Sequence, residues 1–363
     1  MERVPPQKLL DATTALLEAF GMDTPEAESV AASLVSSEIR GHNSHGVIRL
    51  TTTYEAMIED GAIDPTATPI TERHSSSVIS VDGNRAFGQL TGDYIVDAGV
   101  EAAEETGISV VGVRGGCHLG RVGEWAERAA EGGVATFGFI NSGGTSRTVT
   151  VPGSADRLFA TNPITVGIPT FDELEFPIVL DMATSQVAHG KITKLAVDEG
   201  TVPEAWTVTE TGDHVEDAVT FEETDTGAIL PLGGQASGRN GYGLALCAEL
   251  FAGIIGQGEV IGDDENDHVN NAGMFVFVDP LRFSSQAEIE TVIRTVNEQI
   301  RNADYPEAVE TGYATKGDRA LLPGEPEHRK RLEYEKEGIP LTDGAVDSLT
   351  ELAEERGVET PLF

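Results

Sequence analysis

The sequence predicts an α/β protein: a central mixed-sheet domain, joined to a helical domain assembled from the two ends of the chain. Two observations carry this expectation. Short, β-branched, mostly apolar segments recur between residues 77 and 278, with Ala-rich amphipathic stretches separating the first three. Alternation of that kind implies an α/β layer with some parallel pairing. The first 60 residues and the last 80 or so instead repeat apolar residues at helical spacing.

The elements follow in order. Leu9, Leu10, Leu16, Leu17 and Phe20 share one helical face, and Gly21 ends that helix. Thr24 reads as an N-cap, with Pro25 at the first helical position. Ala27, Val30, Ala31, Leu34 and Val35 then line a second helix that stops near Arg40-Gly41. SVISV (77–81), ISVVGV (108–113), VATFGFI (134–140), ITVGIP (164–169) and PIVLD (177–181) read as buried strands, and 91–106 and 120–132 as helices. MFVFV (274–278) is a further strand. Ser285 and Glu288 form a capping box opening a helix to about Arg301, and another short helix lies near 347–356. Residues 1–75 with 280–363 are thus expected to form the helical domain, and 76–279 the α/β domain.

Composition narrows the function. Among 363 residues, 61 are acidic and 24 basic, for a formal net charge of −37; the cations are 18 Arg and 6 Lys. Such a surface repels phosphate backbones and anionic membranes, so neither nucleic acid nor membrane is an expected partner. Self-repulsion on this scale predicts a protein adapted to molar salt, as in a halophile cytosol. Two cysteines, Cys117 and Cys247, make no disulfide framework. The N-terminus has no long apolar run, and the longest apolar stretch, 242–255, is interrupted by Glu249. A cytoplasmic location is expected.

Familiar motifs are missing. The sequence contains no Gly-x-Gly-x-x-Gly, no His-Glu-x-x-His and no Gly-x-Ser-x-Gly. The Gly-rich run 233–240 lacks the Lys and Ser/Thr of a phosphate loop. His42 and His45 form His-x-x-His without a clear third ligand, so no metal is expected.

Polar clusters remain at the predicted strand and helix ends. The first is Arg40-Gly41-His42-Asn43-Ser44-His45-Gly46, with Arg49 and Tyr54 behind it. A histidine here suits proton exchange near neutrality, and an arginine four residues on suits a carboxylate. The same string also reads as a capped loop whose histidines bond backbone carbonyls. The second is Arg114-Gly115-Gly116-Cys117-His118, after a strand, where ligands bind in α/β sheets. His118 is a general acid/base candidate, and Cys117 reads as packing. Asn141-Ser142-Gly143-Gly144 and Asp181-Met182-Ala183-Thr184-Ser185 follow strands and offer hydroxyls and backbone N–H groups to an anionic cofactor, or form plain turns. Asn240-Gly241-Tyr242-Gly243 opens a helix, and Pro323-Gly324-Glu325 lies in a loop.

Taken together, RGHNSHGVIRL (40–50), GCHLGRVGEWAERAAEGG (116–133), PGSADRLFATNPITVGIP (152–169), LDMATSQVAHGKI (180–192), PLGG…GYGLAL (231–246) and PGEPEHR (323–329) resemble, in order, the malate/L-lactate dehydrogenase family that lacks a Rossmann fold. The resemblance implies an NAD- or NADP-dependent oxidoreductase with its own, non-Rossmann nicotinamide-cofactor domain at 76–279, and a homodimer. It implies an L-2-hydroxy acid of the malate, lactate or sulfolactate type exchanged with its 2-oxo acid. The family also includes reductases of cyclic imino acids, such as piperideine- or pyrroline-2-carboxylate, and ureidoglycolate-type dehydrogenases. By position, His118 resembles the acid/base histidine, and His45 matches a residue assigned as proton donor in some members. Ser44 and Arg49 match the substrate cluster. Ser142, Asp181, Met182, Ala183, Asn240, Gly241, Pro323, Gly324 and Glu325 match the cofactor side. Three departures stand out: Gly115-Gly116-Cys117 replaces a more polar string before His118, Asn240 stands where Lys is usual, and Tyr54 comes one residue later after Arg49 than the commonest spacing.

Overall fold

The computed structural model describes residues 2–143, 147–197, 200–224, 226–263, 268–309 and 319–358. Strand β1 (Glu2–Val4) leads into helices α1 (Pro6–Ala19) and α2 (Thr24–Ile39), which turn back on each other at Gly21, φ 101°. The N-cap of α2 is Asp23, one residue before Thr24, and Pro25 lies in the first turn. A 3₁₀ turn (Asn43–His45) and a π-helical turn (Leu50–Tyr54) precede α3 (Glu55–Glu59).

The sheet region then begins: β2 (Ile70–Arg73), β3 (Val78–Asp82), α4 (Gly88–Thr106), β4 (Ile108–Arg114), α5 (Val122–Glu131), β5 (Ala135–Asn141), β6 (Ile164–Ile168) and β7 (Ile178–Met182). A section of shorter elements follows, with α6 (His189–Val197), β8 (Thr207–Val208), α7 (Ala218–Glu223) and β9 (Ala228–Ile229). The chain continues through α8 (Gly234–Phe251), β10 (Ala272–Val278), α9 (Gln286–Arg301), α10 (Glu325–Glu337), β11 (Ile339–Leu341) and α11 (Asp343–Arg356).

Seven strands form the mixed sheet, in the order β2-β3-β4-β10-β5-β6-β7. Only β3 and β4 are parallel neighbours; β10 slots antiparallel between β4 and β5. This register has one consequence for function. Strands β3, β4, β5 and β7 all end at the sheet edge where β6 and β10 begin. The turns carrying His118, Ser142 and Asp181 therefore emerge at one edge.

Three apolar cores hold the molecule. In the first, Leu9, Leu17 and Leu34 pack with Ile339, Leu349 and Leu352 from the far end of the chain, and β1 pairs with β11. This joins the two ends of the chain. In the second, Val81, Val111 and Phe275 on the sheet meet Trp125 of α5, which is fully buried. Burying side chains of this size contributes roughly 1.5–3 kcal/mol each. The third lies within 76–279 and gathers Val149, Phe159, Ile192, Phe221 and Ile229 around the short β8–β9 pair. Helix α9 behaves differently. Its capping box forms as predicted, yet it carries no buried residue, and Val292 and Val296 stay exposed. No described helix is long and apolar enough to cross a membrane.

Candidate active site

The first polar cluster is held from below by a carboxylate. Val30, Leu34 and Glu38 recur at four-residue spacing, so Glu38 continues the buried face of α2 and is only 1% exposed. Its Oε2 accepts from Asn43 Nδ2 at 2.5 Å and its Oε1 from the Val47 backbone N–H at 3.1 Å. Gly46 lies directly against it: a Cβ there would stand 2.1 Å from Oε1. Loop 42–47 is thus clamped on both sides of Ser44 and His45. Burial pushes the Glu38 carboxyl up to about 7, although both hydrogen bonds pull the other way.

On this loop Ser44 Oγ is 2.9 Å from His45 Nδ1. Arg49 Nε donates to the Ser44 carbonyl at 2.6 Å, and its Nη1 to Thr53 Oγ1 at 3.0 Å. Among the described residues, no carboxylate pairs with Arg49. The π-helical turn that follows explains the late position of Tyr54. A π-turn holds one extra residue per turn, which absorbs the one-residue offset and returns the phenol to the site. Tyr54 Oη sits 2.9 Å from His118 Nδ1 and accepts from Gln89 Nε2 at 2.7 Å.

His118 arrives from the end of β4. The His45 and His118 rings stack, with centroids 5.6 Å apart and planes 18° apart. Two strings separated by more than 70 residues therefore meet in one site. Burial is the main cause that holds His118 well below its usual pKa, followed by the Arg49 charge and His45. His45 is lowered to about 3 by burial and then by Arg49, His42 and Arg121. Both rings are neutral near pH 7. Cys117, beside them, adopts φ 46° and is buried; burial pushes its thiol up to about 12, so it is no thiolate nucleophile.

The other strings differ in kind. Ser142 and Asn240 make no side-chain hydrogen bond among the described residues. Asp181 Oδ2 accepts from the Gly123 backbone N–H at 2.9 Å and so caps α5. Glu325 is 6% exposed and fully engaged: it accepts from the Leu322 N–H at 2.9 Å, from Arg329 at 2.6 Å, and from Arg301. The Pro323 carbonyl accepts from the Val179 N–H at 3.1 Å, at the start of β7 and so at the other end of that strand from Met182. Gly241 allows helix α8 to approach Leu232, whose N would lie 2.3 Å from an added Cβ. A non-helical Ser237 (φ −139°) breaks α8, and the unbroken helical run begins after it, close before Asn240. Gly144 lies outside the described residues. His42 Nε2 turns to Glu327 at 3.3 Å, away from His45, and the described residues contain no group of three potential metal ligands. A cavity of about 650 Å³ opens nearby in sequence, between loops 151–156 and 208–212 and the start of α8, with Arg239 at its wall.

Glu38 and Gln89 are absent from the sequence reading. Glu38 had a signal, since an acid on an apolar helix face next to a polar cluster is unusual. Gln89 had none.

An arginine with no carboxylate partner among the described residues and two neutral histidines can together hold a small anion and exchange a proton with it. The family model for malate/L-lactate dehydrogenase matches residues 4–350, and the chain belongs to that family. It is 31% identical to a malate dehydrogenase of Pyrococcus horikoshii, over 98% of this chain and 96% of that one. It is 26% identical to an L-sulfolactate dehydrogenase of Methanocaldococcus jannaschii, over 94% of each. The structure of malate dehydrogenase from Entamoeba histolytica superposes with a TM-score of 0.90 at 25% identity, covering 99% of both chains. A Δ1-piperideine-2-carboxylate reductase from Pseudomonas syringae shares the fold, with a TM-score of 0.80 at 23% identity over 97% of this chain and 100% of that one.

Proposed function

We propose that this protein interconverts an L-2-hydroxy acid and its 2-oxo acid, with NAD or NADP as hydride carrier. The observation that carries this reading is Arg49, a cation with no carboxylate partner among the described residues of a chain whose net charge is −37. An unpaired guanidinium beside two neutral histidines suits the C1 carboxylate of such an acid. Ser44 and His45 bond the C2 oxygen. His118 takes the hydroxyl proton in oxidation and returns it in reduction, a task an imidazole can perform in both directions.

The cofactor side fits a nicotinamide dinucleotide in its donor chemistry. Ser142 and Asn240 hold an uncommitted hydroxyl and amide, Met182, Ala183 and Gly241 lie around them, and Pro323 and Gly324 support β7 from its other end. Asp181 and Glu325 act there by holding backbone in place. When bound, the nicotinamide supplies or removes the hydride at C2 of the substrate. Residues 76–279 form the cofactor domain in this reading, without the Gly-x-Gly-x-x-Gly turn of a Rossmann fold, and the working protein is a homodimer in a salt-rich cytoplasm.

Absorbance at the nicotinamide band, in molar KCl, tests the reading. Oxaloacetate, pyruvate, sulfopyruvate and a cyclic imino acid are each offered with NADH and with NADPH. A rate with one 2-oxo acid is expected and names substrate and cofactor together. A rate with the imino acid alone would move the reaction to a C=N bond and overturn the proposal.

A further inference from the structure

The proton exchange assigned to His118 raises a question that the site residues do not answer. To accept a hydroxyl proton, Nε2 must hold its lone pair, and Nδ1 must carry the hydrogen. The imidazolium this forms returns the proton from Nε2; a neutral ring with its hydrogen on Nε2 and none on Nδ1 can accept nothing there. Tyr54, fully buried, faces Nδ1 at 2.9 Å and therefore decides between these forms. A phenol has one hydrogen to give. Where that hydrogen points depends on the group behind it, and that group is Gln89.

Gln89 is 1% exposed, lies in the first turn of α4, and donates from Nε2 to Tyr54 Oη at 2.7 Å. In this orientation the phenol oxygen accepts from the amide. Its own hydrogen goes to His118 Nδ1, which favours the neutral ring with its hydrogen on Nε2, the form that cannot accept from substrate. With the amide turned by half a rotation, Oε1 accepts from the phenol and the phenol oxygen accepts from the ring, which favours the tautomer with its hydrogen on Nδ1 and Nε2 free to accept. Among the described residues Tyr54 alone bonds the amide: Gln89 Oε1 is buried without a hydrogen-bond partner. Nothing is therefore lost at the far end when it turns. Nε2 of His118 has no partner among the described residues and is left for substrate.

We propose that Gln89 is a positioning residue for His118: the orientation of its amide sets the direction of the Gln89–Tyr54–His118 chain and so selects which neutral tautomer of the imidazole meets the substrate, the Nδ1–H form being the one that can take the hydroxyl proton. The proposal rests on His118 as the acid/base group, but it concerns the free enzyme and is testable without turnover.

Two near-isosteric substitutions separate the forms. Gln89→Glu offers only acceptors when ionised, so it draws the Tyr54 hydrogen and places the ring proton on Nδ1. Gln89→Met offers no polar partner, so the buried phenol can give its hydrogen only to Nδ1 and the proton stays on Nε2. The readout is ¹⁵N NMR of the whole enzyme with ring-labelled histidine, the His118 signals identified by their loss in His118→Gln. Opposite tautomers in the two variants are expected. The same tautomer in both would overturn the proposal, and either variant alone, if the other does not fold, gives a tautomer that agrees or disagrees. Steady-state kinetics separates this from the function itself. Gln89→Met is expected to lower kcat by about 10- to 100-fold in both directions, with the KM for the acid within about twofold. If the tautomers divide as expected but kcat is unchanged, the relay stands and His118 loses its role in proton transfer.

Discussion

The proposed substrate side and the proposed cofactor side use charged residues in opposite ways. Around the two histidines, key groups are held but not consumed. Arg49 is oriented by the Ser44 carbonyl and Thr53, yet has no counter-charge, and Nε2 of His118 is free. At the ends of β7 and α10 the charged groups are fully engaged, Asp181 on the first turn of α5 and Glu325 on two arginines and a backbone N–H. Both sides resemble the family equally well in sequence. The difference shows that a matched string can mark chemistry or can mark architecture, and that unused hydrogen-bonding capacity separates the two.

Substitutions can break that distinction. The largest effect is expected from His118→Ala: turnover should fall by about 10²- to 10⁴-fold, while cofactor affinity, read by nicotinamide fluorescence, stays within about twofold. Equal losses in both would return His118 to the architectural group. Arg49→Leu comes next. Loss of a charge-assisted bond of about 1.5–3 kcal/mol should raise the KM for the acid by about 10- to 100-fold, in initial-rate measurements. An unchanged KM would give the carboxylate to another group. On the other side, Glu325→Ala should act on stability. With Arg329 largely exposed, a loss of about 1–3 kcal/mol by denaturant unfolding is expected, with turnover little altered.

The smallest effect concerns pH. Both histidines are held down by burial and by Arg49, so neither should titrate near 6.5 in the free enzyme. Glu38 is pushed up to about 7 instead. Its carboxylate accepts from Asn43 and Val47, so protonation as pH falls through 7 weakens the clamp under His45. The kcat/KM profile should therefore lose a few-fold on the acid side of 7, and Glu38→Gln should flatten it. A limb near 7 that survives Glu38→Gln would belong to another group.

Much of the frame was legible in the sequence because it depends on local pattern. The strand segments 77–81, 108–113, 134–140, 164–169 and 177–181 lie within a residue of β3, β4, β5, β6 and β7. Ser285 and Glu288 cap α9 as read. What escaped depends on distant partners or on small backbone shifts. The place of β10 between β4 and β5 is a pairing across more than 100 residues. The π-turn at Leu50–Tyr54 leaves no periodic trace in five residues, yet it decides whether Tyr54 reaches His118. The helix at Asn240 begins after the kink at Ser237, but the extra turn from Gly234 before that kink leaves no periodic apolar pattern. Gln89 looks like any polar residue in a first helical turn, and its meaning comes only from a tyrosine 35 positions away.

The central claim is that the uncommitted Arg49 charge receives the substrate carboxylate. Calorimetric binding of oxamate, an unreactive 2-oxo acid analogue, to cofactor-loaded wild-type and Arg49→Leu enzyme in molar KCl tests it most directly. The account predicts binding about 10- to 100-fold weaker in the variant. Equal affinity in the two proteins, with cofactor bound in both, would contradict it.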